Sequence, residues 1–246
     1  MRDELQKITV VVPTYNERDN LPKLVDELAA LAMPNLHILV VDDNSPDGTG
    51  DVADKLALES NDALGVLHRT AKDGLGRAYI AGMLRALDEG ADIVIQMDAD
   101  LSHPSSAIPA MVKALEDPNV AVVLGSRYVH GGSVAGDWGL YRKALSAWAN
   151  FYVGAILRMR VKDATAGFKA WRAETLHRID IASITSNGYS FQVEMNYRTV
   201  KRGGKIVEVP IRFSDRALGK SKMSIKVQLE SAMVPWKLRF GKNATT

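Results

Sequence analysis

Ile38-Leu39-Val40-Val41-Asp42-Asp43-Asn44-Ser45-Pro46-Asp47-Gly48-Thr49 decides the fold. Its first four residues are apolar and mostly β-branched, with no polar interruption, the pattern of a strand covered on both faces. The run ends in two carboxylates and a Ser-Pro-Asp-Gly turn, and Asp47 stands where it can cap a helix that follows. A buried strand that delivers acidic residues into a turn before a helix is the repeating unit of an open α/β sheet. Ligands of such sheets bind beyond the carboxyl ends of the strands.

Working outward, the same alternation recurs. Strands are expected over residues 8–12, 38–41, 66–68, 93–97 and 120–124, and helices over 21–31, 49–58, 78–88 and 108–115, with Pro22 in the first turn of the first helix. Strand–helix alternation predicts an α/β fold: a mostly parallel sheet flanked by helices. After residue 130 the pattern changes. Gly131, Gly132 and Gly136 mark a loop, and residues 140–159 read as a long helix carrying Trp148, Phe151 and Tyr152. Strand-like pieces at 168–171 and 206–213 flank a helical stretch at 192–200. No linker, repeat or low-complexity segment interrupts the chain, so the reading is one domain over 1–224 and a basic, amphipathic C-terminal extension over 225–246.

The chain has 246 residues, 46% of them hydrophobic and 24% charged, enough to bury a core without staples. It has no cysteine, which excludes disulfides, thiolate metal sites and cysteine nucleophiles, and fits a reducing cytoplasm. Residues 1–7 are polar and lead straight into a strand, so no secretory leader is expected. The longest apolar run, 28–33, falls far short of the roughly 20 residues of a membrane span. The net charge of +2 hides an asymmetry: 20 Lys/Arg against 26 Asp/Glu in residues 1–200, but 11 against 3 in residues 201–246. That basic end suits an anionic partner such as lipid headgroups, phosphates or nucleic acid, or is simply a solvated tail. No stacking platform or binding motif supports nucleic acid.

Polar clusters fall at three strand ends: Pro13-Thr14-Tyr15-Asn16-Glu17, Asp42-Asp43 with its turn, and Asp98-Ala99-Asp100. Carboxylates at i and i+2 beyond a buried strand can converge on a hard divalent cation that also holds phosphates. A lone Asp-x-Asp is more often a turn or a cap, but its position beside the two other clusters favours the cation. Asp42 is the carboxylate expected to accept hydrogen bonds from a base or ribose, with Asp47, and Asp43 as an open alternative, serving the turn. Tyr15 can stack on a base and Glu17 can hydrogen-bond it, or both can pack the loop.

Together these residues resemble the family 2 glycosyltransferases of the GT-A (Rossmann-like) fold, and within them the dolichol-phosphate or polyprenol-phosphate mannose synthases. The matching segments are Val11-Val12-Pro13-Thr14-Tyr15-Asn16-Glu17-Arg18, Val41-Asp42-Asp43-Asn44-Ser45-Pro46-Asp47-Gly48-Thr49 and Met97-Asp98-Ala99-Asp100-Leu101-Ser102-His103-Pro104. Gly125-Ser126-Arg127-Tyr128, Glu208-Val209-Pro210-Ile211, Asp215-Arg216 and Ser221-Lys222 extend the likeness over nearly the whole chain.

The resemblance implies inverting transfer of mannose from GDP-mannose to a polyprenyl or dolichyl phosphate, with Mg2+ or Mn2+. Pro13, Tyr15, Glu17 and Asp42 would hold the nucleotide, and Asp98, Ala99 and Asp100 the diphosphate and its metal. Arg127, Arg216 and Lys222 would line the phosphate pocket, and Arg142 would receive the lipid phosphate. Asp100, Arg127 and Arg142 would then carry the chemistry. Some relatives place a Gln ligand where this chain has Ser102, and many carry C-terminal membrane spans that this sequence lacks. The implied setting is the cytoplasmic face of a membrane, with a separate membrane-anchoring subunit as a further partner.

Cations at the ends of the 140–159 helix and aromatic residues within it describe either an interfacial helix or a buried core helix. Met233-Val234-Pro235-Trp236-Lys237-Leu238-Arg239-Phe240 repeats the mixture more openly and favours membrane contact. Two rival readings stand beside the mannose synthase. One is a lipid-phosphate transferase using a UDP-sugar. The other is a phosphate-receiving signalling domain, suggested by Val40-Val41-Asp42-Asp43-Asn44, although such domains begin with the acidic strand.

Overall fold

The computed structural model describes residues 6–135, 139–214 and 225–241, without the side chains of 140–142 and 225–231. In chain order the elements are β1 (Ile8–Thr14), α1 (Leu21–Ala29), β2 (Leu36–Asp42), α2 (Thr49–Glu59), β3 (Leu64–His68), α3 (Leu75–Asp88), β4 (Ile93–Gln96), α4 (Ile108–Ala114) and β5 (Val120–Ser126). There follow β6 (Ser133–Val134), α5 (Leu140–Leu157), β7 (Lys169–Arg172), α6 (Ala173–Arg178), α7 (Gly188–Lys201), β8 (Lys205–Pro210), β9 (Arg212–Phe213) and α8 (Ile225–Phe240).

The main sheet has the order β3-β2-β1-β4-β7-β5-β8, and β6 pairs with β9 in a small second sheet. Every pairing in the main sheet is parallel except those of β7, which runs antiparallel between β4 and β5. Every residue of β1, β4 and β5 is buried, as unbroken apolar strands require when helices cover both faces. Neighbouring residues of β1 divide between two cores. Val11 packs with Leu39, Val41, Tyr79 and Met83 on one face. Val10 and Val12 pack with Leu21, Leu24 and Leu28 on the other. Helix α3 lies close on the sheet because residue 82 is glycine: a Cβ there would stand 2.4 Å from a Val11 methyl and 2.7 Å from a Val41 methyl.

The expected strands and helices of the first half are all present, with ends shifted by a few residues. Asp47 does serve α2, from one position before the Gly48 cap: its Oδ1 accepts the Thr49 N–H at 3.0 Å and the Thr49 hydroxyl at 2.6 Å. Helix α8, in the expected amphipathic extension, is docked on α5. The Tyr152 hydroxyl of α5 donates to the Ala232 carbonyl at 2.9 Å and accepts from the Trp236 indole N–H at 2.9 Å. The guanidinium of Arg239 also reaches the Ile156 carbonyl.

A candidate nucleotide and metal cleft

Strand order reverses at β1, with β2 on one side and β4 on the other, and the polar clusters meet beyond this switch point. They form a cavity of about 220 Å³ lined by Pro13, Thr14, Tyr15, Glu17, Asp43, Lys72, Leu75, Ala78, Asp98, Ala99 and Asp100. Each strand-end turn contains a non-glycine residue in the left-handed region: Asn16 (φ 62°), Asn44 (φ 56°) and Leu101 (φ 62°). Asparagine tolerates that conformation, whereas for leucine it costs of the order of 1–3 kcal/mol, held in place by its surroundings.

The first two turns are stitched together. The N–H groups of Asn16, Glu17 and Arg18 donate to the Ser45 hydroxyl (3.1 Å), the Thr49 hydroxyl (3.0 Å) and the Asp47 carboxylate (3.3 Å). The Glu17 carboxylate accepts from the Asn20 amide at 2.7 Å. The Lys72 ammonium sits 3.6 Å from the centre of the Tyr15 ring, so one ring face already carries a cation.

The two adjacent aspartates divide their work differently from the sequence-based expectation. Asp42 is the turn former: it accepts the Thr14 hydroxyl (3.1 Å), the Ser45 hydroxyl (2.6 Å) and the Ser45 N–H (3.0 Å). Asp43 lines the cavity instead, its Oδ1 held by the Arg69 guanidinium at 2.5 Å. Burial pushes the Asp43 carboxyl above its usual range, against the opposing pull of Arg69. Sequence gives no means of choosing between neighbours in a turn, because which one points outward depends on where Ser45 and Thr14 come to lie.

Asp98 and Asp100 both reach the cavity floor, flanking Ala99. The buried Tyr79 hydroxyl donates to Asp98 Oδ1 at 2.5 Å; burial, then the Asp98 charge, hold that phenol well above its usual pKa, so it remains a donor. Asp100 Oδ1 accepts the Ser102 N–H (3.1 Å) and hydroxyl (2.5 Å), a closure made by the left-handed Leu101. The His103 ring stacks on Phe168 at 5.1 Å between centres, and its Nδ1 accepts the Asp98 backbone N–H at 3.2 Å. That bond selects the tautomer protonated at Nε2, and burial lowers the imidazole pKa below its ordinary value. Tyr79 and His103 were not expected as site residues: one reads as helix core, the other as the end of a motif.

Arg127, at the end of β5, is gripped by Asp163. Its Nε donates to Oδ2 at 2.8 Å, and one terminal nitrogen donates to Oδ1 at 2.6 Å and to the Thr165 hydroxyl at 3.1 Å. Asp163 is fully buried, and the Glu208 carboxylate accepts the N–H groups of Lys162 and Asp163, each at 2.9 Å. Arg127 does not line the cavity of Asp98 and Asp100. Arg142 lies in the first turn of α5 with its side chain outside the described set, and Arg216 and Lys222 lie outside the described residues.

The comparisons agree with this geometry. The family model described as glycosyl transferase family 2 matches residues 9–179. A curated relative from Mycolicibacterium smegmatis, named polyprenol monophosphomannose synthase, is 46% identical over 219 residues, covering 89% of this chain and 82% of the relative. Another from Micrococcus luteus, named undecaprenyl-phosphate mannosyltransferase, is 46% identical over 218 residues, 89% of this chain and 88% of its own. Among solved structures, the glucosyl-3-phosphoglycerate synthase of Mycobacterium tuberculosis in complex with Mn2+, uridine diphosphate and glucosyl-3-phosphoglycerate superposes with a TM-score of 0.69 at 19% identity, over 96% of this chain and 80% of that one. The mannosyltransferase PcManGT of Pyrobaculum calidifontis, in complex with GDP-Man and Mn2+, gives 0.59 at 20% identity, over 89% of this chain and 59% of that one. The sheet order, the aspartates beyond β4 and the matched span lead to one conclusion: the chain belongs to glycosyl transferase family 2.

Proposed function

We propose that this enzyme transfers mannose from GDP-mannose to a polyprenyl phosphate, inverting the anomeric centre to give a β-linked mannosyl phosphate. The observation that carries the reading is the 46% identity, over 89% of the chain, to relatives named for mannosyl transfer to such lipids. In this reading the base and ribose lie against Pro13, Tyr15, Glu17 and Asp43, with Asp42 fixing the turn beneath them, and the diphosphate lies over Asp98, Ala99 and Asp100.

The donor set fits Mg2+ or Mn2+. Among the described residues no cluster of three or more His, Cys, Asp or Glu side chains is placed to hold a metal. Two oriented carboxylates in a cleft sized for phosphates are what a hard cation that completes its shell with phosphate oxygens and water takes from a protein. When bound, the cation neutralises charge on the departing diphosphate.

The rest is done by the chain itself. An acceptor phosphate oxygen is ionised near neutral pH, so no strong general base is required. The protein's task is to hold that oxygen in line with the anomeric carbon and to exclude water. Tyr79, Ser102 and His103 fix the two aspartates before substrate arrives, which lowers the reorganisation needed at the moment of reaction. Arg142, Arg216 and Lys222 are the cations assigned to the phosphates. Arg127, neutralised by Asp163, contributes a guanidinium whose direction is set before any phosphate binds.

Residues 1–224 form the catalytic domain in this reading, and 225–246 belong to its membrane-facing side. Among the described residues no helix is long and apolar enough to cross a membrane. Trp148 (57% exposed) and Phe151 (74%) on α5 join Trp236 (47%) and Phe240 (66%) on α8 as large apolar side chains open to solvent, which supports a peripheral seat on a membrane; we assign that seat to the cytoplasmic face, with or without an anchoring subunit. The test is a panel of nucleotide sugars offered with polyprenyl phosphate and either metal. Product from GDP-mannose alone is the expected result; product from a UDP-sugar instead would move the assignment to a different donor.

A further inference from the structure

A second cavity, larger than the cleft of the aspartates, lies away from them along α5. It measures about 430 Å³ and is lined by Tyr128, Ala147, Asn150, Phe151, Gly154, Ala155, Met159, Val161 and Lys162. Ala147, Phe151 and Gly154 recur at helical spacing on one side of α5, while Tyr152 and Ile156, which bond α8, face the other. Small residues make the hollow. At Gly154 a Cβ would stand 3.3 Å from the Met159 carbonyl, a tight contact that glycine avoids.

We propose that this groove seats the hydrocarbon of the lipid acceptor, namely the isoprene units nearest its phosphate. The inference rests on the polyprenyl-phosphate reading and adds to it a place for the chain. The first argument is polar satisfaction. The Tyr128 hydroxyl donates to the Ser146 hydroxyl at 2.7 Å, and the Asn150 amide donates to the Ser146 carbonyl at 3.0 Å and accepts the Thr165 N–H at 3.1 Å. With those groups engaged, the walls suit an occupant that asks for no hydrogen bonds along its length.

The second argument is charge. Lys162 is exposed at the rim and directly precedes Asp163, while Tyr128 directly follows Arg127, whose guanidinium lies 5.3 Å from the Tyr128 ring. Arg127 is neutralised by Asp163, so the Lys162 ammonium is the cation the groove rim offers, and an apolar trough with an ammonium at its rim fits an amphiphile with an anionic head. The third is continuity: Phe151 is a groove wall and also one of the exposed aromatic residues assigned to the membrane surface. A chain leaving the groove past Phe151 enters the bilayer without crossing polar surface. A peptide strand or helix would find few partners for its backbone here, and free phosphate would not use the apolar walls.

The experiment compares, in detergent micelles, a long polyprenyl phosphate with methyl phosphate, which carries no isoprene unit for the groove. Wild type and Ala147→Trp, which fills the trough from an exposed helical position, are assayed for kcat/KM on both acceptors. Binding of a radiolabelled long acceptor is measured in parallel without donor. Thermal unfolding and GDP binding report folding, and Phe151→Ser on the exposed wall serves as the second variant should Ala147→Trp fail to fold.

The expected result is that wild type prefers the long acceptor and that the preference and the labelled-lipid affinity fall about tenfold, some 1.4 kcal/mol. If wild type transfers mannose but both folded variants keep the full preference and affinity, the groove assignment is overturned while the activity stands. Should wild type transfer to no polyprenyl phosphate, the activity reading fails, and the binding arm decides the groove alone: loss in the variants supports an isoprenoid site, and unchanged binding removes it. A change in sedimentation with lipid binding intact would mean that a second copy of the chain covers the groove, and would also overturn it.

Discussion

At the scale of single residues, the site is a set of carboxylates held by neutral donors, and substitutions can separate charge from geometry. Asp100→Asn keeps an acceptor oxygen for the Ser102 N–H and hydroxyl and removes only the charge. Turnover is expected to vanish with the fold intact, by circular dichroism and thermal unfolding; wild-type turnover at saturating metal would sink the metal assignment. Asp163→Ala does the opposite, leaving the largely buried Arg127 guanidinium without its partner. Removing one side of a buried pair costs about 3–5 kcal/mol, so a denaturant midpoint close to wild type would show that the pair is weakly coupled to the fold. Asp98, Asp100, Tyr15 and Glu17 were legible as cleft residues because they follow apolar runs directly. Asp43 and Lys72 in the cleft, Tyr79 behind Asp98 and Asp163 on Arg127 were not, since their roles come from contacts between segments 19 to 57 positions apart.

Between residue and molecule, β7 was expected as a strand-like piece at 168–171, but its place in the sheet was not. Its sequence, Lys-Ala-Trp-Arg, has charged ends, yet it lies in the middle of the sheet with Lys169 fully buried. Nothing local announces that a lysine will donate to the Gln192 carbonyl at 3.1 Å inside the core. Burial holds the Lys169 ammonium well below its ordinary pKa of 10.5. The unfolded chain therefore binds this proton more readily than the folded one, and stability rises with pH from the lowered folded value up to about 10.5. That slope is at most about 1.4 kcal/mol per pH unit. Lys169→Met should flatten it, and urea titrations at stepped pH would read the change; an unaltered slope would mean that the folded lysine keeps its proton. Helix α5 was read as either core or interface and α8 as a tail favouring membrane contact; each of them buries some apolar residues and exposes others. Val153 and Leu157 of α5 and Pro235 of α8 are buried, while Trp148, Phe151, Met233, Trp236 and Phe240 face solvent. An apolar residue pattern on two sides of a helix hides from any single-stripe reading.

Along the chain, positive charge and exposed apolar side chains occur in the same C-terminal stretch. Residues 201–246 carry 11 Lys/Arg against 3 Asp/Glu, in the same region as Met233, Trp236 and Phe240. Two forces would then hold the enzyme to a membrane, and they respond to different conditions. The electrostatic part is worth about 1 kcal/mol per cation near an anionic surface, and at 0.15 M salt it decays over about 8 Å. The apolar part follows buried area at roughly 25 cal/mol per Å² and does not weaken with salt. Flotation with anionic vesicles should therefore fall as salt rises but level off above zero, and with neutral vesicles it should be weak and salt-independent. Met233→Ser combined with Phe240→Ser removes outward side chains without touching the inward Pro235. The pair should lower the salt-resistant remainder, which Trp148, Phe151 and Trp236 still support, keep the salt-sensitive binding, and leave the melting temperature near that of wild type. Binding that disappears completely at high salt in the unmodified enzyme would show that α8 meets the membrane through charge alone, and its exposed aromatic residues would then need another partner.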